Sequence, residues 1–414
     1  MGFADWYFKR FVSYDINIPI PSNNTQIVVV IPVHNEPELL NLINNLWECN
    51  VPDCNVAVIV IVNDSISSSF EIKQQNKNSI EKLKLFKESH SQEQISLHYY
   101  HHQFKDKHAG VGSARKIGMD TAIKWFNHSD NPNGIIASLD ADVKIEPNYL
   151  TAIYDCFKTN TNYGAAVLRF QHPIDGEKFS KNIYDAIAKY ELYLRYFRLG
   201  LEFAGYPHAI HTIGSCFAVK AENYIKVGGM NKRQGGEDFY FLHKITSQTN
   251  IGSIFETCVY PSPRVSSRVP FGTGPEVNKI LNSSDYCVYH PILFKMLKKW
   301  FSSIEIMYKY SFNDIEIVLK NIDPIIYTFA KDINFEALLA DVKLNSSSFN
   351  SFKKRFFTKI NAFQIIKFLN YASFHYPKIS VEQAVTKLLE YMHIRAQDKT
   401  PDLIQQLYKH EYNI

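Results

Sequence analysis

Two aspartates separated by one alanine end an apolar run at 135–142, IIASLDAD, which delivers Asp140, Ala141 and Asp142 in succession. Carboxylates at i and i+2 beyond a strand end can present oxygens to a hard divalent cation, which prefers oxygen ligands and keeps water or phosphate in its other positions. The same pair also suits a turn or a helix N-cap, where aspartate accepts from nearby backbone N–H groups. Other acids fall at comparable places. Glu36 comes just after the run QIVVVIP (26–32), and Asp64 just after NVAVIVIV (55–62). Clustered carboxylates repel one another unless a cation or hydrogen-bond donors compensate them. Later, GGEDF carries Glu237 and Asp238 behind Gly235 and Gly236. Acids after a glycine turn either cap a helix at its positive end or place a carboxylate to take a proton from a substrate hydroxyl.

Rigid elements must hold these acids. Residues 26–32 and 55–62 are near-continuous Ile/Val runs, as in parallel strands buried on both faces. Residues 36–47 have helical spacing, with Leu39, Leu40, Ile43 and Leu46 on one side. The polar stretch 65–94 reads as a surface loop and a polar helix, 95–101 as a third strand, 111–126 as a helix and 135–139 as a fourth strand. The alternation predicts an α/β fold with a mostly parallel sheet. In open sheets of that kind ligands sit beyond the carboxyl ends of the strands, so Glu36, Asp64 and Asp140/Asp142 are expected around one crevice. From about 276 onward the segments are helix-like and rich in Lys, Phe, Ile and Tyr. The expected organisation is an arm at 1–24, an α/β domain at 25–275 and a mainly helical domain at 276–414, with the boundary in PFGTGPE (270–276).

Composition narrows the class. A chain of 414 residues with 45% hydrophobic and 21% charged residues fits a soluble globular protein, and a net charge of +4 argues against nucleic acid as a partner. No apolar run approaches the roughly 18 residues of a membrane span. The N-terminal MGFADWYFKRF lacks the apolar core of a secretory signal. Six cysteines without a CxxC pair predict buried reduced thiols and a cytoplasmic setting. The aromatic content, 25 Tyr and 29 Phe, suits sugar stacking, although core packing explains most of it. Strand alternation puts the histidines of HYYHH (98–102) on opposite faces, a structural rather than metal-ligating arrangement. FKMLKKWF (294–301) and FKKRFFTKINAFQIIKFL (352–369) mix cations with large apolar residues. Packing within the domain is favoured for them over a peripheral contact with anionic lipid at the inner face of a membrane.

Five stretches in order complete the pattern: VVVIPVHNEPELL (28–40), VIVIVNDSIS (58–67), GVGSARKIGMD (110–120), SLDADVKIEPNYL (138–150) and GGMNKRQGGEDFYF (228–241). As an ordered set they resemble glycosyltransferase family 2, enzymes of the GT-A fold. The resemblance covers 28–241 and leaves the last third of the chain unmatched. It implies an inverting, metal-dependent transfer of sugar from a nucleotide-diphosphate donor to a carbohydrate or lipid-linked acceptor, in surface polysaccharide synthesis. Under it, Pro32, Val33, Glu36 and Asp64 hold the nucleoside. Gly112, Arg115, Asp140 and Ala141 complete the donor site. Asp140 and Asp142 carry Mn2+ or Mg2+, with His290 as a possible further ligand. Asp238 is the base, and Glu237 holds the acceptor or its loop. His211, Gly214, Gly236 and Arg268 line the acceptor side, and Arg264 and Arg268 contact the diphosphate or an anionic acceptor. The family's Asp-Asp-Gly-Ser is replaced here by Asn63-Asp64-Ser65, without the glycine.

Two other readings remain. A sugar nucleotidyltransferase needs a glycine-rich phosphate loop with Arg just after the first strand, where this chain has IPVHNE. A non-catalytic nucleotide-sugar-binding scaffold on the same fold would be signalled by loss of the acids, all of which are present.

Overall fold

The Ile/Val runs form the strands that their composition predicts. The computed structural model describes residues 2–14, 18–21, 25–266, 272–283 and 285–412. Arg268, and Pro270 and Phe271 of the expected boundary, lie outside the described residues. In chain order the first 260 residues give α1 (Asp5–Phe11), β1 (Thr25–Val33), α2 (Leu39–Trp47), β2 (Asn55–Ser65), α3 (Phe70–Ser89), β3 (Ile95–Phe104), α4 (Val111–His128), β4 (Ile135–Ser138), β5 (Lys144–Ile145), α5 (Tyr149–Thr159), β6 (Tyr163–Phe170), α6 (Lys181–Phe203), β7 (Phe217–Lys220), α7 (Ala221–Lys226), α8 (Glu237–Thr246) and β8 (Asn250–Tyr260). One eight-stranded sheet runs β3-β2-β1-β4-β7-β6-β8-β5. Its β3-β2-β1-β4 part is wholly parallel, and β7 is antiparallel to both β4 and β6. This is an α/β architecture with a mostly parallel sheet and a helical C-terminal region, consistent with a GT-A-like fold.

The described chain divides into two compact units. The first comprises Met1–Tyr184 and Thr212–Asn278, the second Asp185–His211 and Lys279–Ile414. In the first, Ile27 to Ile31 and Val56 to Val62 are buried almost without interruption, because helices cover both faces of parallel strands. The arm is anchored. Tyr7 and Tyr14 donate to the Asp120 carboxylate at 2.7 and 2.5 Å, Tyr224 donates at 2.8 Å, and Lys116 pairs with it at 2.9 Å. The arm thereby grips α4, the helix that also carries Arg115.

Several element ends differ from expectation for local reasons. Helix α2 begins at Leu39 rather than at Glu36: Asn35 is left-handed (φ 51°), and Pro37 follows, disfavouring a helical conformation at Glu36. Strands β2 and β3 each run three residues further than their apolar runs, since Asn63, Asp64 and Ser65 stay in register with His102, Gln103 and Phe104. Asp64 is therefore a strand residue.

The second unit is mainly helical but also holds a short antiparallel pair, Cys287–Val288 with Ile379–Ser380, which its composition did not predict. Its basic–apolar helices are amphipathic. Helix Ile292–Ser302 buries Leu293, Phe294, Met296, Leu297, Trp300 and Phe301 and exposes Lys295, Lys298 and Lys299. Helix Phe349–Lys359 buries Phe352, Phe356 and Phe357. No helix among the described residues is long and apolar enough to cross a membrane. The six cysteines, all among the described residues, form no disulfide. Cys49, Cys54, Cys216 and Cys258 are buried, whereas Cys287 is exposed, against the expectation of buried thiols throughout.

Candidate active site

Four parallel strand ends and two helix N-termini build the site. At the end of β1, the Val33 carbonyl accepts from Asn63 Nδ2 at 2.7 Å, and His34 Nδ1 lies 2.8 Å from the Asn63 carbonyl. Pro32 sits within β1, opposite Ile61. Asn76, buried in α3, donates to the Asn63 carbonyl (2.9 Å) and to Asp64 Oδ2 (3.0 Å), and accepts from the Asn35 N–H (2.9 Å). His101 Nε2 is 2.7 Å from Asp64 Oδ2, and Gln103 Nε2 donates to Oδ1 at 3.1 Å. Burial by itself would raise the Asp64 carboxyl, but the donors Asn76, His101 and Gln103 outweigh it and hold the group below the ordinary carboxylate value. Asp64 is thus an oriented anion. Three donors leave lone-pair capacity on a carboxylate with about four acceptor positions. Serines shape the loop after Asp64: Ser68 Oγ accepts the Ser65 N–H at 2.9 Å, and Asp106 accepts from Ser67 N–H and hydroxyl at 3.1 and 2.7 Å.

Arg115 joins the two acidic motifs. Its Nη2 donates to Asp140 Oδ1 at 2.5 Å and its Nη1 donates to Glu237. Arg115 and Glu237 are buried, whereas the Asp140 side chain remains 35% exposed. Two glycines make room for this arrangement. A Cβ on Gly214 would lie 2.7 Å from Arg115 Nη2, and one on Gly112 would collide with the Arg233 carbonyl and lie 3.1 Å from Glu237 Cβ. Gly214 therefore serves the Arg115 guanidinium, and Gly112 lets the first turn of α4 pack on the loop before α8. Gly236 takes the left-handed conformation (φ 68°) as the N-cap of α8, the geometry glycine adopts without strain.

Asp238 lies in the first turn of α8, with Oδ1 accepting the Phe239 N–H at 2.7 Å. Burial raises its carboxyl above the ordinary value, Arg115 pulls the other way, and the Asp140 charge adds to the rise. A raised carboxyl is a stronger base, and the positive helix end still favours its ionised form. Its place in the first turn of α8 sets it at the positive end of that helix.

Arg264, just beyond β8, holds the other side. Its Nη1 donates to Glu36 Oε1 at 3.0 Å, while its Nη2 donates to Glu36 Oε2 and lies 2.7 Å from Asp142 Oδ2. Glu36 is 1% exposed and the Asp142 side chain 29%. Ala141, between the two aspartates, is buried. The Nε–H groups of Arg115 and Arg264 are buried without an acceptor among the described residues.

Glu36, Asp64, Arg115, Asp140, Asp142, Glu237, Asp238 and Arg264 all belong to the first unit. His211 and His290 belong to the second and are engaged there. His211 Nε2 pairs with Glu411 at 2.8 Å, and His290 Nδ1 accepts the Ile292 N–H at 3.1 Å at the start of a helix. Three site residues escaped sequence reading: Asn76, His101 and Gln103. HYYHH is not purely structural, since His101 holds Asp64. The signal was available in the alternation, because β2 and β3 are parallel and in register. Val62 and Asp64 therefore share a face with His101 and Gln103. Among the described residues no group of three or more His, Cys, Asp or Glu side chains is arranged to hold a metal ion.

No protein-family model matches the sequence, and no curated protein does. Among solved structures the chain is similar to S. aureus TarS 1-349 in complex with UDP-GlcNAc, at 12% identity over 82% of this chain and 92% of that one, with a TM-score of 0.42. It is similar also to S. aureus TarS 1-349 in complex with UDP, at 11% identity over 82% and 91% of the two chains, with a TM-score of 0.37. No residue's role here rests on those likenesses.

Proposed function

We propose that this chain is an inverting glycosyltransferase that moves a sugar from a nucleotide-diphosphate donor to a carbohydrate or lipid-linked acceptor, in the assembly of a surface polysaccharide. One observation carries the reading. Glu36, Asp64, Asp140 and Asp142 stand at or just beyond the carboxyl ends of adjacent parallel strands, and buried Arg115 ties Asp140 to the acidic start of α8. In this reading Asp64, oriented by His101, Gln103 and Asn76, accepts from the N–H or hydroxyl groups of the nucleoside. Asp238 removes the proton of the acceptor hydroxyl as the new sugar–oxygen bond forms, opposite the departing diphosphate. Glu237, bound to Arg115, keeps the start of α8 in place and does not itself take the proton. The Nε–H groups of Arg115 and Arg264, without an acceptor among the described residues, are donors suited to diphosphate oxygens.

Asp140 and Asp142 fit a divalent cation of the Mn2+ or Mg2+ kind. Both are carboxylates, both keep a solvent-facing side, and such ions complete their shell with water and phosphate rather than with a full protein cage. When bound, the cation neutralises charge developing on the leaving diphosphate. A panel of nucleotide sugars, assayed for nucleoside diphosphate release with Mn2+ and again with a chelator, tests the proposal. Release from one donor that needs metal and rises with acceptor supports it. Tight nucleotide binding without release from any donor would leave the scaffold reading in its place.

A further inference from the structure

We propose that Arg264 is an internal cation that occupies Asp142 until a divalent metal takes its place, with Glu36 as the tether that keeps the arginine at the site. The inference rests on the metal reading of Asp140 and Asp142 given above. It starts from an asymmetry between the two aspartates. Asp140 is paired with Arg115, whose other nitrogen is fixed on buried Glu237 inside the first unit. Arg115 is wedged in place, with the Gly214 backbone against its Nη2. Asp142 is paired with Arg264, whose side chain is 21% exposed and whose second partner, Glu36, is engaged by both terminal nitrogens.

The charges make exchange favourable. Asp142 and Glu36 both face the same terminal nitrogen of Arg264, so that cation offsets repulsion between two carboxylates, one of them buried. Loss of a close cation destabilises a buried charge, which favours the docked position of Arg264. A divalent ion on Asp142 brings twice the charge and repels the guanidinium. The bidentate contact with Glu36 allows Arg264 to give up Asp142 without being expelled. Its buried Nε–H has no acceptor among the described residues, and the diphosphate oxygens of a bound nucleotide would supply one. Metal and nucleotide are therefore expected to bind with positive coupling, since each relieves what the other disturbs.

Manganese binding to the full-length protein tests this directly, read from the loss of the free Mn2+ signal in electron paramagnetic resonance. With Mn2+ alone, Arg264→Gln is expected to bind about tenfold more tightly than wild type, and Arg264→Lys to stay within about threefold of it. With UDP added, the gap between Gln variant and wild type should close to within about threefold, because the wild-type arginine has by then left Asp142. An Arg264→Gln affinity for Mn2+ alone that equals or falls below wild type, while wild type still takes up Mn2+ with UDP, would overturn the exchange and leave the metal reading standing. Failure of both proteins to bind Mn2+ even with UDP would remove the metal reading and this inference together. Should Arg264→Gln not fold, 15N-arginine spectra of wild type, assigned with Arg264→Lys, decide the matter. The Arg264 Nε–H resonance must shift when Mg2+ and UDP are added, and an unmoved resonance rejects the proposal.

Discussion

Each unit of the chain holds a buried arginine between carboxylates, and the surroundings of the two differ. In the second unit, Arg195 donates through Nε and Nη2 to Glu191 at 3.0 and 2.5 Å and through Nη1 to Glu411 at 2.8 Å, with its guanidinium 4.9 Å from the Tyr408 ring and 5.8 Å from that of Tyr412. His211 Nε2 and Arg198 Nε lie 2.8 and 3.6 Å from Glu411 Oε1. Both acids are buried. The Arg195 cluster is closed, and it fastens the C-terminal helix Thr400–Tyr412 to α6. In the first unit, Arg115 and Arg264 hold Asp140 and Asp142, whose carboxylates stay about one-third exposed, and among the described residues each arginine keeps a donor without an acceptor. The same ion-pair chemistry serves stability where all three guanidinium nitrogens meet carboxylates, and leaves capacity for a ligand where one does not.

The contrast can be broken at its open end first. Asp238→Asn should lower turnover by about 10²–10⁴, the usual worth of a positioned general base, with donor binding and melting temperature near wild type. Single-turnover kinetics and a thermal melt separate the two effects, and wild-type turnover in this variant would assign the base elsewhere. At the closed end, Arg195→Met strips the cation from two buried carboxylates and should cost about 3–5 kcal/mol of folding free energy, measured by urea denaturation. A loss under about 1 kcal/mol would show that the closed cluster is not structural.

Smaller effects sharpen the comparison. Gly214→Ala puts a methyl group against a guanidinium that is held on both sides, and overpacking of that kind costs about 1–3 kcal/mol. The expected signature is a lowered melt together with weakened donor binding, since Arg115 must shift away from Asp140. Unchanged binding would separate Arg115 from the donor site.

The last effect appears only in acid. Burial would raise Glu411, but His211 and Arg195 prevail and hold it at about 2, against an ordinary value of 4.5. A carboxyl depressed on folding contributes stability that is fully present above the unfolded value and is lost as pH falls through the folded one. Wild type should therefore lose stability between about pH 4.5 and 2, and Glu411→Gln should show a flatter profile over that window in urea titrations at stepped pH. An equal slope in both proteins would place the acid sensitivity in other carboxylates, Asp64 among them.

Much of this architecture was legible from residue order. Unbroken Ile/Val runs at 26–32 and 55–62 can be satisfied only by strands covered on both faces, and acids placed at or just after such runs must collect at one edge of a parallel sheet. Glu36, Asp64, Asp140 and Asp142 do stand at or just beyond the carboxyl ends of β1, β2 and β4. That reasoning went wrong where polar residues extend an element. Nothing apolar marks Asn63 to Ser65 or His102 to Phe104 as strand, and only pairing across β2 and β3 keeps them extended and sets His101 and Gln103 on Asp64. Asn76 was hidden for a related reason: a single amide in a polar helix carries no periodic signal, and its three hydrogen bonds reach across more than ten residues of sequence each.

The sequence by itself determined which acids exist, which rigid elements carry them and on which edge of the sheet they gather, because hydrophobic period and strand order are local properties of the chain. Most partners of those acids were decided by tertiary structure alone. Arg115 reaches Glu237, 122 residues away, and Arg264 reaches Glu36 across 228. A guanidinium selects its carboxylate by distance and burial in three dimensions, and spacing along the chain encodes neither.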